Sequence, residues 1–271
     1  MVKKPRPKSK NKKNKFALLQ PRPLNLIAAG IYILQSLLVV LLSNPERAGQ
    51  PLTTGFLAEN KAASLATGQN VSAQASHLLL EFNLAYLVAG FLAVAGVAHL
   101  LAATRLRAAY ETGLKDKVNR FRWISYSAVL GLVMVAISFL SGIFDLSMLI
   151  MIFGLTLVLG ITGAMVEKRG NDKKTGWLPY MEGLKLGLVP FVVILIYAWG
   201  SYAYGGSLPA YLYFIYLTLL LLFSAMIINF YLQIKKMGHW SDYLFSEKTF
   251  ILVSLIAISA LAWQIFFGAL R

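Results

Sequence analysis

The sequence predicts an all-α membrane protein, a bundle of seven transmembrane helices with its N-terminus inside and its C-terminus outside. Three observations support this fold class. Of the 271 residues, 58% are hydrophobic, which is more than a soluble domain normally carries. Seven apolar stretches are each long enough to cross a hydrocarbon core of about 30 Å. Lys and Arg are concentrated in alternate connectors between these stretches.

The chain begins with a basic segment. Its first fifteen residues contain eight of the 26 Lys and Arg, two Pro and no apolar run. Such a composition cannot bury enough apolar surface to fold. We therefore predict a disordered cytoplasmic tail over residues 1–23, followed by a membrane domain over residues 24–269.

The membrane domain is predicted to contain seven helices joined by polar connectors. The longest connector, residues 44–77, is an outer loop between helices 1 and 2, and its length favours structure or function of its own. Asp145 is expected to cap helix 4, Pro190 lies inside helix 5, and Pro209 is expected at the first position of helix 6. The predicted helices span residues 24–42, 78–103, 123–140, 146–166, 178–199, 209–234 and 249–269.

The distribution of cations predicts the orientation. The N-terminal tail, the second, fourth and sixth connectors and Lys185 together hold 23 of the 26 Lys and Arg. Only Arg47, Lys61 and Arg271 fall on the other side. By the positive-inside rule the tail faces the cytoplasm, which predicts a multi-pass protein of the cell membrane. The net charge of +15 then faces the anionic leaflet, so the bilayer is the expected partner and nucleic acid is not.

Several classes of site are not expected. The chain has no Cys and three His, which excludes disulfides and thiol chemistry and argues against a metal site. It contains no phosphate-binding Gly-rich loop, no HExxH or GxSxG motif and no pair of carboxylates within a span. We therefore predict no catalytic residues, no metal and no enzymatic activity.

Five sequence segments resemble one known family. The segment Ser-Ala-Leu-Ala-Trp-Gln-Ile-Phe at 259–266 is the most specific of them. The others are Phe-Arg-Trp at 121–123, Glu-Lys at 167–168, Gly-Leu-Val-Pro at 187–190 and Trp-Ser-Asp-Tyr-Leu at 240–244. Together they resemble the heliorhodopsins, seven-helix retinal proteins that are inverted relative to other microbial rhodopsins. The resemblance implies a rhodopsin-like bundle, a small β-structured flap in the first outer loop, and a homodimer.

The chain departs from the family pattern at the residue positions that surround the family's chromophore. The position of the lysine that carries retinal as a Schiff base is Ile258, and the position of the carboxylate counterion is Ser125. Of two family histidines near the chromophore, the one on helix 1 falls at Tyr32 and the one on helix 2 is kept as His99. The serine one turn before the lysine is kept as Ser254.

The two losses are physically linked. A protonated Schiff base is a cation that needs a paired carboxylate in a dry interior. Once the lysine is lost, that carboxylate becomes an unpaired buried charge, so Ile258 together with Ser125 is a consistent apolar repair. Lys185 lies inside a predicted span but can extend to the inner interface. We therefore predict a natural lysine-less variant that holds no covalent cofactor.

The former chromophore site is the candidate pocket. We expect Tyr32, His99, Ser125, Ser254 and Ile258 around it, in a polar cluster between helices 1, 2, 3 and 7. The alternative is a purely structural role, in which His99 is only hydrogen-bonded to its neighbours. Two aromatic residues could also line a ligand cavity or serve as ordinary membrane packing: Trp263 and Phe191.

Three functions fit these residues. The first is a non-photochemical sensor, regulatory or interaction protein whose basic cytoplasmic face acts on an acidic protein partner or membrane. The alternatives are a receptor or carrier for noncovalently bound retinal, another polyene or lipid, and an ion or proton conductor.

Overall fold

Seven long apolar helices form a membrane-spanning bundle, and this confirms the prediction of an all-α, seven-helix membrane protein. The computed structural model describes residues 20–169 and 178–271. Its elements are α1 (Pro21–Leu42), β1 (Gly49–Glu59), α2 (Lys61–Thr67), β2 (Ser72–Asn83), α3 (Leu84–Ala103), α4 (Arg107–Lys115), α5 (Arg120–Leu140), α6 (Leu146–Arg169), α7 (Leu178–Ala203), α8 (Ala210–Lys235) and α9 (Tyr243–Ile265). The helices long and apolar enough to cross a membrane are α1, α3, α5, α6, α7, α8 and α9.

Several helix ends differ from their predicted positions. Helix α9 begins at Tyr243 instead of residue 249, because Asp242 Oδ1 accepts the Leu244 N–H at 3.0 Å and caps the helix. Pro209 is the N-cap of α8 and not its first helical residue, and Pro190 lies inside α7. Helix α1 begins at Pro21, so the predicted tail extends too far. Residues 1–19 of that tail and residues 170–177, which include most of the fourth connector, lie outside the described residues.

The first connector forms the flap that the family resemblance implied. Strand β1 pairs antiparallel with β2 from Gly49 opposite Asn83 to Glu59 opposite Ser72, and α2 joins them. The prediction that helix 2 begins at residue 78 is wrong, because residues 78–83 continue the pairing of β2. The helix begins after Asn83, whose Oδ1 accepts the Ala85 N–H at 2.9 Å.

The flap is attached to the bundle at the start of α6. Thr53 N–H donates to the Phe144 carbonyl at 2.9 Å, and Gly55 N–H donates to Asp145 Oδ2 at 2.7 Å. The other oxygen, Oδ1 of Asp145, accepts the Ser147 N–H at 3.0 Å, as expected of a helix cap. Asp145 therefore ties β1 to α6 as well as capping the helix.

The second connector contains a short helix that the sequence analysis did not predict. Helix α4 buries Tyr110 and Leu114 against Ala102 of α3 and Tyr243 of α9. The other side of α4 is exposed and carries charged residues. This packing places Tyr110 at the end of the bundle where α1 begins. There Tyr110 belongs to the site described below.

Close packing between α5 and α6 fixes Trp123. A Cβ at Gly163 would lie 2.4 Å from the Trp123 ring, so only glycine allows α6 to approach this closely. The Trp123 indole also packs edge-on against Phe230 of α8, with ring centroids 4.7 Å apart. The indole N–H is thereby held at one place between three helices.

Candidate functional site

A small cavity lies where the former chromophore site was predicted. Its volume is about 40 Å³, room for about three water molecules. It lies between α1, α3, α5 and α9, and its lining includes four of the predicted residues: His99, Ser125, Ser254 and Ile258. Tyr32 is fully buried beside them, with its ring stacked on His99 at a centroid distance of 5.7 Å.

Ile258 occupies the interior of the bundle. Its exposed fraction is 7%, and it borders a second space of about 20 Å³ between α5, α8 and α9. The side chains around that second space are almost all apolar, among them Leu219, Phe223 and Leu261. An aliphatic side chain at position 258 therefore packs as an ordinary core residue.

The two serines of the site are bonded within their own helices. Ser125 Oγ donates to the carbonyl oxygens of Phe121 and Arg122, at 2.9 and 3.1 Å. Ser254 Oγ lies 3.0 Å from the Ile251 carbonyl oxygen. A serine hydroxyl carries no charge, so the Ser125 position supplies no counterion.

His99 begins a chain of hydrogen bonds along the wall of the cavity, and its other members, Asn25, Tyr110 and Glu247, also line the cavity. Its Nδ1 lies 2.6 Å from Asn25 Oδ1. The Asn25 amide nitrogen uses its two hydrogens on the Pro21 carbonyl at 2.8 Å and the Tyr110 hydroxyl at 3.2 Å. Asn25 therefore presents an oxygen to the ring, and His99 Nδ1 must be the donor. The chain continues from Tyr110 OH to Glu247 Oε1 at 2.8 Å.

Glu247 belongs to a buried ion cluster with Arg122 and Glu167. Arg122 Nη1 donates to Glu247 Oε2 at 2.8 Å, and Arg122 Nη2 donates to Glu167 Oε1. All three side chains are 2–3% exposed. Two carboxylates surround one guanidinium, so with all three ionised the cluster carries one excess negative charge.

Hydrogen-bond donors compensate for this burial. Glu247 also accepts from Asn119 Nδ2 at 2.9 Å. Glu167 accepts from five groups, which are Arg122 Nη2, Gln233 Nε2 at 2.9 Å, Tyr243 OH at 3.0 Å, Asn119 N at 2.8 Å and Trp123 Nε1 at 2.9 Å. Charge-assisted bonds of this kind offset the cost of removing carboxylates from water.

Tyr110, which lies outside the spans, connects Asn25 to Glu247 of the ion cluster. Burial raises the pKa of the Tyr110 hydroxyl above its usual range, and the neighbouring Glu247 charge acts in the same direction. The hydroxyl therefore keeps its proton and remains a donor to Glu247. On the far side of the cluster, an open cavity of about 280 Å³ reaches Glu167 from the surface.

The comparison with known families fits this arrangement. A sequence model of the heliorhodopsin family matches residues 22–270, which is nearly the whole chain. The chain belongs to the heliorhodopsin family. A search of curated proteins found no match to it. Heliorhodopsins are rhodopsin-like membrane proteins and are generally not enzymes.

Two predicted aromatic residues of this heliorhodopsin lie away from the small cavity. Trp263 packs near the end of α9 against Phe266 and Phe267, with ring centroids 5.2 and 5.7 Å apart. Phe191 on α7 packs against Phe223 at 4.7 Å, and only Phe223 borders the second space. Both contacts are ordinary aromatic packing.

The sequence analysis did not identify the ion cluster. Arg122 and Glu167 stood within or beside segments that resemble the family, without a role. Glu247 was assigned to a connector because the start of α9 was placed six residues too late. Asp242 followed by an apolar run is a recognisable N-cap signal, and it would have placed Glu247 inside the helix. An acid inside a span is a functional candidate by default.

Proposed function

We propose that this heliorhodopsin works without a covalent chromophore, as a sensor, regulatory or interaction protein that has no photochemistry and no catalytic role. The observation that carries the proposal is Ile258, a buried side chain that has no amine at the attachment position. It lines the same cavity as Ser125, and Ser125 has no carboxylate to act as a counterion. An imine cannot form on an aliphatic side chain, whatever the rest of the pocket allows.

The volumes of the two spaces support the same conclusion. They measure about 40 and 20 Å³. Pockets that hold small organic ligands normally measure about 300–1,000 Å³. As the side chains stand, a polyene would have to displace Ile258 and its neighbours. This favours the first function over a receptor or carrier of noncovalent retinal, another polyene or lipid.

The test is reconstitution of the purified protein with all-trans retinal. We expect no visible absorption band of a protonated Schiff base, whereas a heliorhodopsin that has its lysine serves as the positive control. A visible pigment that hydroxylamine bleaches would overturn the proposal. Mass spectrometry of an organic extract tests the carrier alternative, which requires a stoichiometric polyene or lipid.

Such a protein would act by contacting other molecules. We propose that the protein sits in the cell membrane with the basic face inside, as a homodimer, and that this face meets an acidic protein partner or the membrane surface. An ion or proton conductor is the remaining alternative, and currents across a bilayer containing the protein, in light or darkness, would establish it.

A further inference from the structure

A basic cleft lies at the end of the bundle where α1 begins, and it shares Tyr110 and Ala102 with the wall of the site described above. Its volume is about 580 Å³, and it is bounded by the start of α1, by α4 and by the start of α9. We call it the basic cleft and define it by its four cations, which come from three elements: Arg22, Arg107, Lys115 and Lys248.

The cations in the cleft outnumber the acids. The one acid in its lining is Glu111, whose Oε1 lies 2.6 Å from Arg107 Nε. The hydrogen bond from Arg107 holds the pKa of Glu111 below its usual value, and the charges of Lys115 and Arg22 act in the same direction. The four cations therefore surround one cleft, and the lining of that cleft carries a net charge of +3.

The cleft is also partly apolar and lies at a membrane boundary. Leu244 lines it and is 39% exposed, and α1 and α9 enter the bundle beside it. Lys248 is half-buried on a spanning helix, where its aliphatic stem can lie along apolar surface while its ammonium reaches the cleft. Along α1, within two turns of Arg22, Leu26 and Ile27 are exposed at 41% and 51%.

We propose that the basic cleft binds the headgroup of one anionic phospholipid. Ammonium and guanidinium groups are the protein ligands for phosphate, and basic pockets beside spanning helices bind anionic headgroups. The exposed apolar side chains of α1 lie where the acyl chains would run. The proposal is independent of whether retinal binds, and it rests on the predicted orientation only in assigning the lipid to the cytoplasmic leaflet.

The experiment uses the full chain in mixed detergent–lipid micelles. Native mass spectrometry counts bound phosphatidylglycerol against phosphatidylcholine for the wild type and for the variant Lys115→Gln/Lys248→Gln. Removing one cation near a lipid surface lowers affinity by about fivefold, so we expect a loss of about 25-fold in the double variant. Single variants, each expected to lose about fivefold, keep the test valid if the double variant folds poorly.

The matched control is Lys61→Gln/Lys185→Gln, which also removes two positive charges. Lys61 lies on α2 of the flap, and Lys185 is exposed and paired with Glu182 at 2.8 Å. Unchanged phosphatidylglycerol binding in this control supports the cleft, and an equal loss in both double variants overturns it in favour of diffuse charge. Competition by inorganic phosphate at equal concentration would overturn the lipid assignment in favour of a free anion.

Discussion

Position 258 lies on the same small cavity as position 125, although the two residues come from different helices. In a dry interior, a cation at one position depends on an anion at the other. The present pair, Ile258 and Ser125, requires neither. The two positions should therefore respond to charge together, even in the absence of retinal.

A double-mutant cycle tests this coupling. We expect Ile258→Lys alone to destabilise the protein, because the ammonium is buried and Glu247, the carboxylate that lines the same cavity, is already paired with Arg122. Adding Ser125→Glu should recover part of that loss, with a coupling energy of about 1–3 kcal/mol in denaturant unfolding. Additive effects of the two changes would mean that the positions do not face each other.

Arg122 is the cation that holds two buried carboxylates together. We expect Arg122→Gln to destabilise the protein by about 3–5 kcal/mol, because it leaves both carboxylates unpaired. Glu247→Gln should cost much less, since it removes the excess charge and keeps an amide able to hydrogen-bond. Thermal unfolding in detergent measures both, with Arg107→Gln at an exposed ion pair as the control. An equal effect of the two arginine changes would contradict the cluster's role.

At the scale of elements, two contacts determine how parts of the fold fit together. One is the capping carboxylate that holds the flap to α6, and the other is the glycine that brings α6 against Trp123. Each can be tested by a substitution with a matched control.

Asp145 should make attachment of the flap dependent on pH. The Ser147 hydroxyl, followed by backbone N–H groups of Gly55, Met148 and Ser147, lowers the pKa of Asp145. A lowered pKa means that the stabilisation is complete above the ordinary value of about 3.9 and is lost as pH falls through the folded value. The protection factors of the Gly55 and Thr53 amides, which correct for the pH dependence of intrinsic hydrogen exchange, should therefore fall below about pH 4.

The control for this prediction is Asp145→Asn, which keeps an acceptor oxygen but does not titrate, so the protection factors of the same amides should not fall on acidification. Asp145→Ala should lose the cap at any pH, at a cost of about 1 kcal/mol. If the Asn variant showed the same acid response as the wild type, the titrating group would be another residue.

Gly163 should tolerate no side chain. We expect Gly163→Ala to cost about 1–3 kcal/mol, because its Cβ would overlap the Trp123 ring. On the same helix, a Cβ at Gly154 would meet nothing within 4 Å, so Gly154→Ala should be neutral or stabilising by up to about 1 kcal/mol. Thermal unfolding of the two variants gives the comparison, and equal shifts would contradict close packing at Gly163.

At the scale of the whole molecule, charge determines the predicted orientation. The described residues pass through the bundle seven times, so Pro21 and Leu270 lie on opposite sides, and the cation-rich connectors are those on the side of Pro21. The natural chain has no Cys, which leaves a clean background for labelling.

Single cysteines test the orientation in intact cells. Lys61→Cys in the flap should react with an impermeant maleimide, and Lys168→Cys at the end of α6 should react only after permeabilisation, because the basic side faces the cytoplasm. The unsubstituted chain is the control. The reverse pattern of labelling would overturn the inverted topology and the leaflet assigned to the bound lipid.

The sequence alone determined the seven spans, because apolar length is a local property. The loss of the lysine stays a prediction, made from the identity of residue 258 and the family resemblance. The sequence did not determine that residues 78–83 form a strand, since that run of three Leu is apolar enough for a helix and only β1 selects the strand. The sequence also did not predict that Glu247 contacts Arg122, which lies 125 positions earlier in the chain. That ion cluster exists because α4, α5, α6 and α9 meet at one end of the bundle, and only the tertiary structure could decide that.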